Sequence, residues 1–524
     1  MSEKKTDQNN INQVNSNSAT GDYEDYELGI NGPKIQKDNN ADIALQYAQE
    51  NDLDFVMDPA YEKKVLRKID WMLIPLLGLL QSVQLLDKTT NSYSSIMGLR
   101  EDLNMTSYQY SWVGSIFYFG YLFFEYPANI LLQKFPLAKT VSTAVIIWGI
   151  ILMCHAACQN AASFLVCRFL LGVFESFMNP AFMMLTSQWW KQKEHFMRSC
   201  LWFGFQGFGN WMGAGISHGL ATYRGVDGHS FESWRLLHII TGVMTIFLGI
   251  VSILHIPDIP TKAWFLNEKD KKYVVERIRE NQQGFGNKKY KKYQVLEAFR
   301  DPATYLAFIY AFTYATANGS FTNFGTILLN QDFGFSTTTS LLMGMPGGAL
   351  DIIYSPFLAY VNYKFMNNRR LISCAITNCI TIIGMSLLNF TDHRGSRLAG
   401  YYTFYITTAV MSGMLSIVSS NVAGHTKKST VTTLFFVGYC VGNISGPQTF
   451  KGSEAPNYHS AKATLLACYI IGTICILGLF ALYQHRNKIR DQKKAELGDK
   501  YIVPENVEFS DLTDKENLEF RYSL

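Results

Sequence analysis

The feature that most constrains this chain is a succession of apolar runs, each long enough to cross a bilayer as a helix. A hydrocarbon core about 30 Å thick takes roughly 20 residues of helix. Such runs fall at 70–90, 109–131, 140–158, 163–187, 200–221, 234–255, 303–327, 339–361, 371–390, 399–420, 431–450 and 462–483, twelve in all. Composition agrees: the 524 residues are 48% hydrophobic and 17% charged, where a soluble domain carries about a quarter charged. The charges crowd into the first 68 residues, the segment 257–302 and the end of the chain. The expected fold class is therefore an all-α integral membrane protein of twelve transmembrane helices in two six-helix halves.

The long connection 257–302 separates the halves. The organisation predicted is a disordered, polar, Asn-rich tail over 1–68, a first half over 69–256, a central loop over 257–302, a second half over 303–484 and a C-terminal tail over 485–524. Within the loop, "NEKDKKYVVERIREN" predicts a short amphipathic helix begun by Asn267, followed by the basic "NKKYKKY". Lys and Arg gather in the even-numbered connections, at Lys134, Lys139, Lys191, Lys193, Arg198, Lys364, Arg369, Arg370, Lys427 and Lys428. The odd connections hold fewer, among them Arg224 offset by Asp227. Positive charge marks the cytoplasmic side, so both termini are expected inside, with the plasma membrane favoured over the endoplasmic reticulum or another internal membrane.

A trace of duplication is visible. Gly209-Asn210 in the fifth run and Gly442-Asn443 in the eleventh occupy corresponding places, each among glycines at four-residue spacing. Small residues at that spacing let helix backbones approach closely, and paired half-structures are a common plan for secondary transporters.

The sequence holds no phosphate-binding Gly-Lys loop, metal-ligand cluster or nucleophile elbow, which speaks against an enzyme, a metal site, a cofactor or an ATP-driven pump. The net charge of +4 is explained by the loop charges and gives no reason to invoke nucleic acid. Nine cysteines, none in a C-x-x-C pair, read as packing residues.

Against this apolar background, "CRFLLGVFESFMNPAF" carries Arg168 and Glu175. Charges persist inside a membrane mainly where they face a partner or a wet cavity. Seven residues is two turns, so both lie on one face, about 10 Å apart along the axis. Asp87 and Lys88 close the first run in "LLDKTT". Two readings stand for Arg168: a buried tie to Asp87, or a contact for an anion. Glu175 reads as a proton carrier or as a neutral, hydrogen-bonded acid.

The stretch "RFLLGVFESFMNPAFMMLTSQWWKQKEHFMR" resembles the fourth span of the major facilitator superfamily, and more narrowly the fungal allantoate permease family of anion:cation symporters. Further marks are "LRKIDWMLIPLLGLL", "YFGYLFFEYPANILLQKFP", "WRLLHIITGVMTIFLGIVSILHIPDIPTKAWFLNEKDK" and "VGNISGPQTFKGSEAPNY". The resemblance covers roughly 62–485. It implies a secondary transporter that brings a small organic anion into the cell with protons. It also implies that Lys88 and Arg168 bind substrate and that Asp87 and Glu175 couple protons. Lys88 stands where the family commonly has Arg, keeping the charge without the planar fork.

Gln206, Ser420 and Asn443 resemble positions that hydrogen-bond substrate. Glu125, in "FFEYPAN", is expected to be structural in an inner gate, against the "KQKEHFMR" loop. Asp351, in "GGALDIIYSP", is expected to form a gating salt bridge or polar cap, with protonation as the alternative. The partners expected are the anion, protons and the lipid bilayer, with the chain monomeric. A proton-driven exporter of drugs or metabolites and a non-transporting nutrient receptor are the competing functions.

Overall fold

The computed structural model describes residues 58–223, 232–279, 291–497 and 512–524. The expected tail over 1–57, the loop charges Arg224 and Asp227 and the first part of the basic stretch, 287–290, lie outside the described residues. We number the membrane helices in chain order. They are α1 Pro59–Ser94, α2 Ser107–Lys134, α3 Leu137–Cys154, α4 Ala161–Trp189, α5 Gln192–Gly204 continued by Gln206–Tyr223, and α6 Ser233–His255. The second set is α7 Pro302–Gln331, α8 Thr337–Phe365, α9 Arg370–Phe390, α10 Arg394–Asn421, α11 His425–Gln448 and α12 His459–Leu497. Each expected apolar run falls on one of these helices, and no strand occurs among the described residues.

Eight of the twelve are long and apolar enough to cross a membrane by length and composition. The other four are α2, α5, α7 and α11. These pack against protein on several sides: α2 lies on α11 and α4, α5 on α1 and α8, and α7 on α11 and α12. A helix surrounded by protein has less lipid to meet, so it can carry the glycines and hydroxyl residues that permit close crossings.

The duplication is physical. A Cβ built on Gly209 of α5 would lie 2.0 Å from the Ser82 carbonyl oxygen of α1. One built on Gly442 of α11 would lie 2.2 Å from the Phe312 carbonyl oxygen of α7. The same crossing, fifth on first, is thus made in each half by the Gly of the matched Gly-Asn pair. The face opposite the termini repeats as well. Asp102 takes Arg235 at 2.5 Å, and Asp332 takes Arg397 at 2.6 Å and Lys462 at 3.1 Å.

The tail boundaries move. α1 begins at Pro59, inside the segment expected to be disordered, because Asp58 caps it by accepting from the Ala60 N–H at 3.0 Å. Its added turns rest on the helix Glu268–Arg279, where Tyr61 donates to Asp270 at 2.7 Å and Lys68 pairs with Asp270 at 2.9 Å. Asn267 does start that helix, accepting from the Asp270 N–H at 2.7 Å.

At the other end α12 runs on to Leu497, and residues 512–524 return to the bundle. There Asp514 accepts from Lys427 at 2.6 Å and from the Tyr522 hydroxyl at 2.7 Å, while Asn487 and Asn421 pair with the backbones of Tyr522 and Ser523. Beside this clamp, burial alone would raise Asp301. The hydrogen bond and charge of Arg486, with Lys427 nearby, bring it below its usual range instead.

The halves meet near the face opposite the termini. Tyr110 donates to the Asn323 carbonyl at 3.1 Å, the Thr326 N–H to Ser92 at 3.3 Å and Asn210 to the Gly344 carbonyl at 2.8 Å. Towards the termini face, Phe196 of α5 packs with Ala359 of α8. The charged residues of the middle are enclosed between these two levels.

The α2–α4 crossing sets their positions. A Cβ on Gly172 would lie 1.9 Å from the Phe117 carbonyl oxygen, and one on Gly120 would lie 2.1 Å from that of Phe169. The obstruction is backbone, so Gly172→Leu must part the helices, at a cost at or above the top of the usual overpacking range of about 1–3 kcal/mol. It is expected to leave little monodisperse protein in size-exclusion chromatography. Wild-type yield and profile would contradict this account of the crossing.

Candidate functional site

On α1, Gln84, Asp87, Lys88 and Asn91 follow one another at intervals of three, one and three residues. That spacing places all four on one helix face. Opposite stand Arg168 and Glu175 on the first segment of α4, with Trp148 of α3 alongside.

The charges are paired two by two. Arg168 Nη1 lies 3.4 Å from Asp87 Oδ1, and Lys88 Nζ lies 2.7 Å from Glu175 Oε1. Trp148 Nε1 donates to the second Asp87 oxygen at 2.8 Å, and the Arg168 guanidinium also donates to the Asn91 side-chain carbonyl. Aromatic rings finish the surround: Arg168 lies 5.5 Å from the Phe164 ring centroid and Lys88 5.7 Å from that of Phe117. Asp87, Arg168 and Glu175 are at most 1% exposed.

Formally the cluster sums to zero. A buried ion pair contributes little net stability against a well-packed apolar pair, whereas removing one partner strands the other and costs about 3–5 kcal/mol. What the arrangement does well is hold two cations and two carboxylates ready to exchange partners. Protonating either carboxylate frees a cation, and an anion entering the site can take that carboxylate's place.

The sequence-expected residues sort as follows. Asp87, Lys88, Arg168 and Glu175 come together, but Lys88 and Arg168 do not stand open to an anion, because each already holds a carboxylate. Ser420 is elsewhere: its hydroxyl donates to the Ser416 carbonyl at 2.8 Å and accepts from Arg370 at 3.2 Å. Asn443 is buried in the α7–α11 crossing, its amide donating to the Tyr439 carbonyl at 2.9 Å and its backbone against Gly319. Gln206 is half-buried where α5 resumes after Phe205.

Asp351 is buried and accepts from Ser355 at 3.1 Å, next to the close approach of Gly207 in α5 to α8. This is a polar contact within α8, and no salt bridge of Asp351 occurs among the described residues. The expected contact of Glu125 with the "KQKEHFMR" loop is absent among the described residues. That loop turns elsewhere, Glu194 to Arg277 at 2.7 Å and Arg198 to Asp70 at 2.9 Å, while Glu125 is buried beside Tyr121.

Sequence reasoning missed Trp148, Asn91 and Gln84. The two α1 residues carried a signal, being polar residues one turn either side of the Asp-Lys pair. Trp148 carried none, since an indole in an apolar run looks like packing.

The chain is similar to known proteins along most of its length. The model of the Major Facilitator Superfamily matches residues 77–447. An uncharacterized transporter of Schizosaccharomyces pombe is 42% identical, over 95% of this chain and 96% of its own. The allantoate permease of Saccharomyces cerevisiae is 39% identical, over 95% and 93%. Among solved structures, a proton:xylose symporter bound to 6-bromo-6-deoxy-D-glucose superposes with a TM-score of 0.61 at 12% identity, covering 80% of this chain and 96% of that one. At that identity the likeness speaks for the fold.

Proposed function

Because the chain belongs to the major facilitator superfamily, among the relatives of the fungal allantoate permease, and is therefore a membrane transporter, we propose that it imports a small organic anion together with protons. The observation that carries this reading is the pairing of four buried charges into two neutral couples on α1 and α4. With the anion alone, the cluster would hold an uncompensated negative charge. With the proton alone, it would hold an uncompensated positive one. Either state is costly in a membrane interior, so the neutral states, empty or carrying both, are the ones in which the halves can rearrange.

On this reading a proton enters Glu175, the Lys88 ammonium is released, and the anion's carboxylate or sulfonate bridges Lys88 and Arg168. Asp87, held by Trp148 and Arg168, keeps the guanidinium in place and shares the coupling role. The face bearing the termini is cytoplasmic by the distribution of loop charge, and the membrane is the plasma membrane. The protein acts as a monomer.

The test is uptake of labelled carboxylates and sulfonates, allantoate included, into proteoliposomes with and without an inward proton gradient. The expected result is accumulation of at least one anion above its equilibrium level, abolished when the gradient is collapsed. Uptake that ignores the gradient would sink the symport reading.

A further inference from the structure

Glu125 lies within α2 and is 2% exposed, and neither of its carboxylate oxygens has a hydrogen-bond partner. It has neither the cation nor the hydrogen-bond donor that the other described buried carboxylates of the bundle have. Asp87 has Trp148 and Arg168, Glu175 has Lys88, and Asp351 has Ser355. A carboxylate left ionised in such a place is costly, and an amide or a methionine would fill the space without that cost.

Its position relative to the charge cluster follows from the α2–α4 crossing. Gly172 meets α2 between Phe117 and Tyr121, which sets Glu175 near the level of Tyr121. Glu125 is four residues farther along α2, about one turn or 6 Å nearer the termini face. Tyr121 is within electrostatic reach of both carboxylates, and its hydroxyl accepts from Asn179 at 3.1 Å. Cys440 of α11 is within reach of both Glu125 and Lys88, and the Tyr118 ring lies 6.0 Å from that of Tyr439. The titratable groups facing Glu125 are thus Tyr121 on its own helix and Cys440 on α11. No Lys, Arg or His pairs with it among the described residues.

We infer that Glu125 is a second proton-binding site, set one turn below Glu175 towards the termini face, and that it takes up the co-transported proton when Glu175 re-pairs with Lys88. This rests on the proton-coupled reading above. The step moves one proton and makes or breaks no other bond. Glu175 gives up its carboxylic proton and Glu125 takes it up, so Glu175 is left as the carboxylate that Lys88 requires.

The proton itself is the probe. Acid-minus-alkaline infrared difference spectra of the purified full chain in liposomes should contain a protonated-carboxyl C=O band that Glu125→Gln removes and Glu175→Gln retains. Glu125→Asp should shift that band, and it serves as well should Glu125→Gln fail to fold. If both position-125 variants give the wild-type spectrum, the inference is overturned, while gradient-driven uptake by the wild type would leave the symport reading standing. Conversely, a band assigned to Glu125 in a protein whose uptake ignores the gradient would keep the proton site and remove its place in symport.

Discussion

Arg168→Ala should reduce uptake by at least about 100-fold and also destabilise the protein, because it strands Asp87 as a buried carboxylate held only by Trp148. Breaking a buried pair from one side costs about 3–5 kcal/mol, or roughly two to three and a half powers of ten in an equilibrium constant. Loss of transport in this variant alone would not separate a substrate contact from a structural tie. The double variant Asp87→Asn with Arg168→Gln does. It removes both charges, so thermal unfolding in detergent should return to within about 1 kcal/mol of the wild type, while uptake should stay lost because no guanidinium remains for the anion. A double variant that transports normally would make the pair a tie between α1 and α4 and nothing more.

Much of this molecule was legible in the sequence, for identifiable reasons. Bilayer thickness fixes the length of an apolar run, so the helices could be located from the apolar runs, eight of them apolar enough to cross on their own. The two Gly-Asn pairs pointed to equivalent crossings because a glycine that must meet a carbonyl oxygen tolerates no Cβ, and so remains readable. Helix boundaries were less legible. α1 and α12 run past the apolar segment as amphipathic turns supported by other parts of the chain, such as Asp270 for α1 and Tyr522 for α12. Hydropathy does not register such support.

The site was legible in its members and not in its pairing. Arg168 and Glu175 stood out because a charge in an apolar run is conspicuous. Which cation meets which carboxylate depends on the register and rotation of α1 against α4, whose paired residues are more than eighty positions apart in the chain. The family resemblance left Lys88 facing an anion, whereas the register set by Gly172 and Gly120 brings it to Glu175. Ser420, expected at the substrate only through the resemblance, shares Arg370 with Ser416, a contact between residues fifty positions apart that its sequence neighbours do not announce.

The pairing of Lys88 with Glu175 makes the second large effect specific. Glu175→Gln leaves an ammonium with no carboxylate to hold it, so an anion should bind to Lys88 without waiting for a proton. Exchange of labelled for unlabelled anion across the membrane should therefore persist, with little dependence on pH. Accumulation should vanish. One pH unit corresponds to about 1.4 kcal/mol, so a two-unit gradient coupled to one proton per anion can sustain about 100-fold accumulation in the wild type, and the variant should equilibrate at about one. Lys88→Gln should lose both activities. With Glu175 unpaired and buried, the carboxyl should hold its proton, and both exchange and accumulation should fall, because the charge that takes the anion's second contact is gone. Accumulation retained in Glu175→Gln would move the coupling proton to Asp87, the only other carboxylate that pairs with a cation in this cluster.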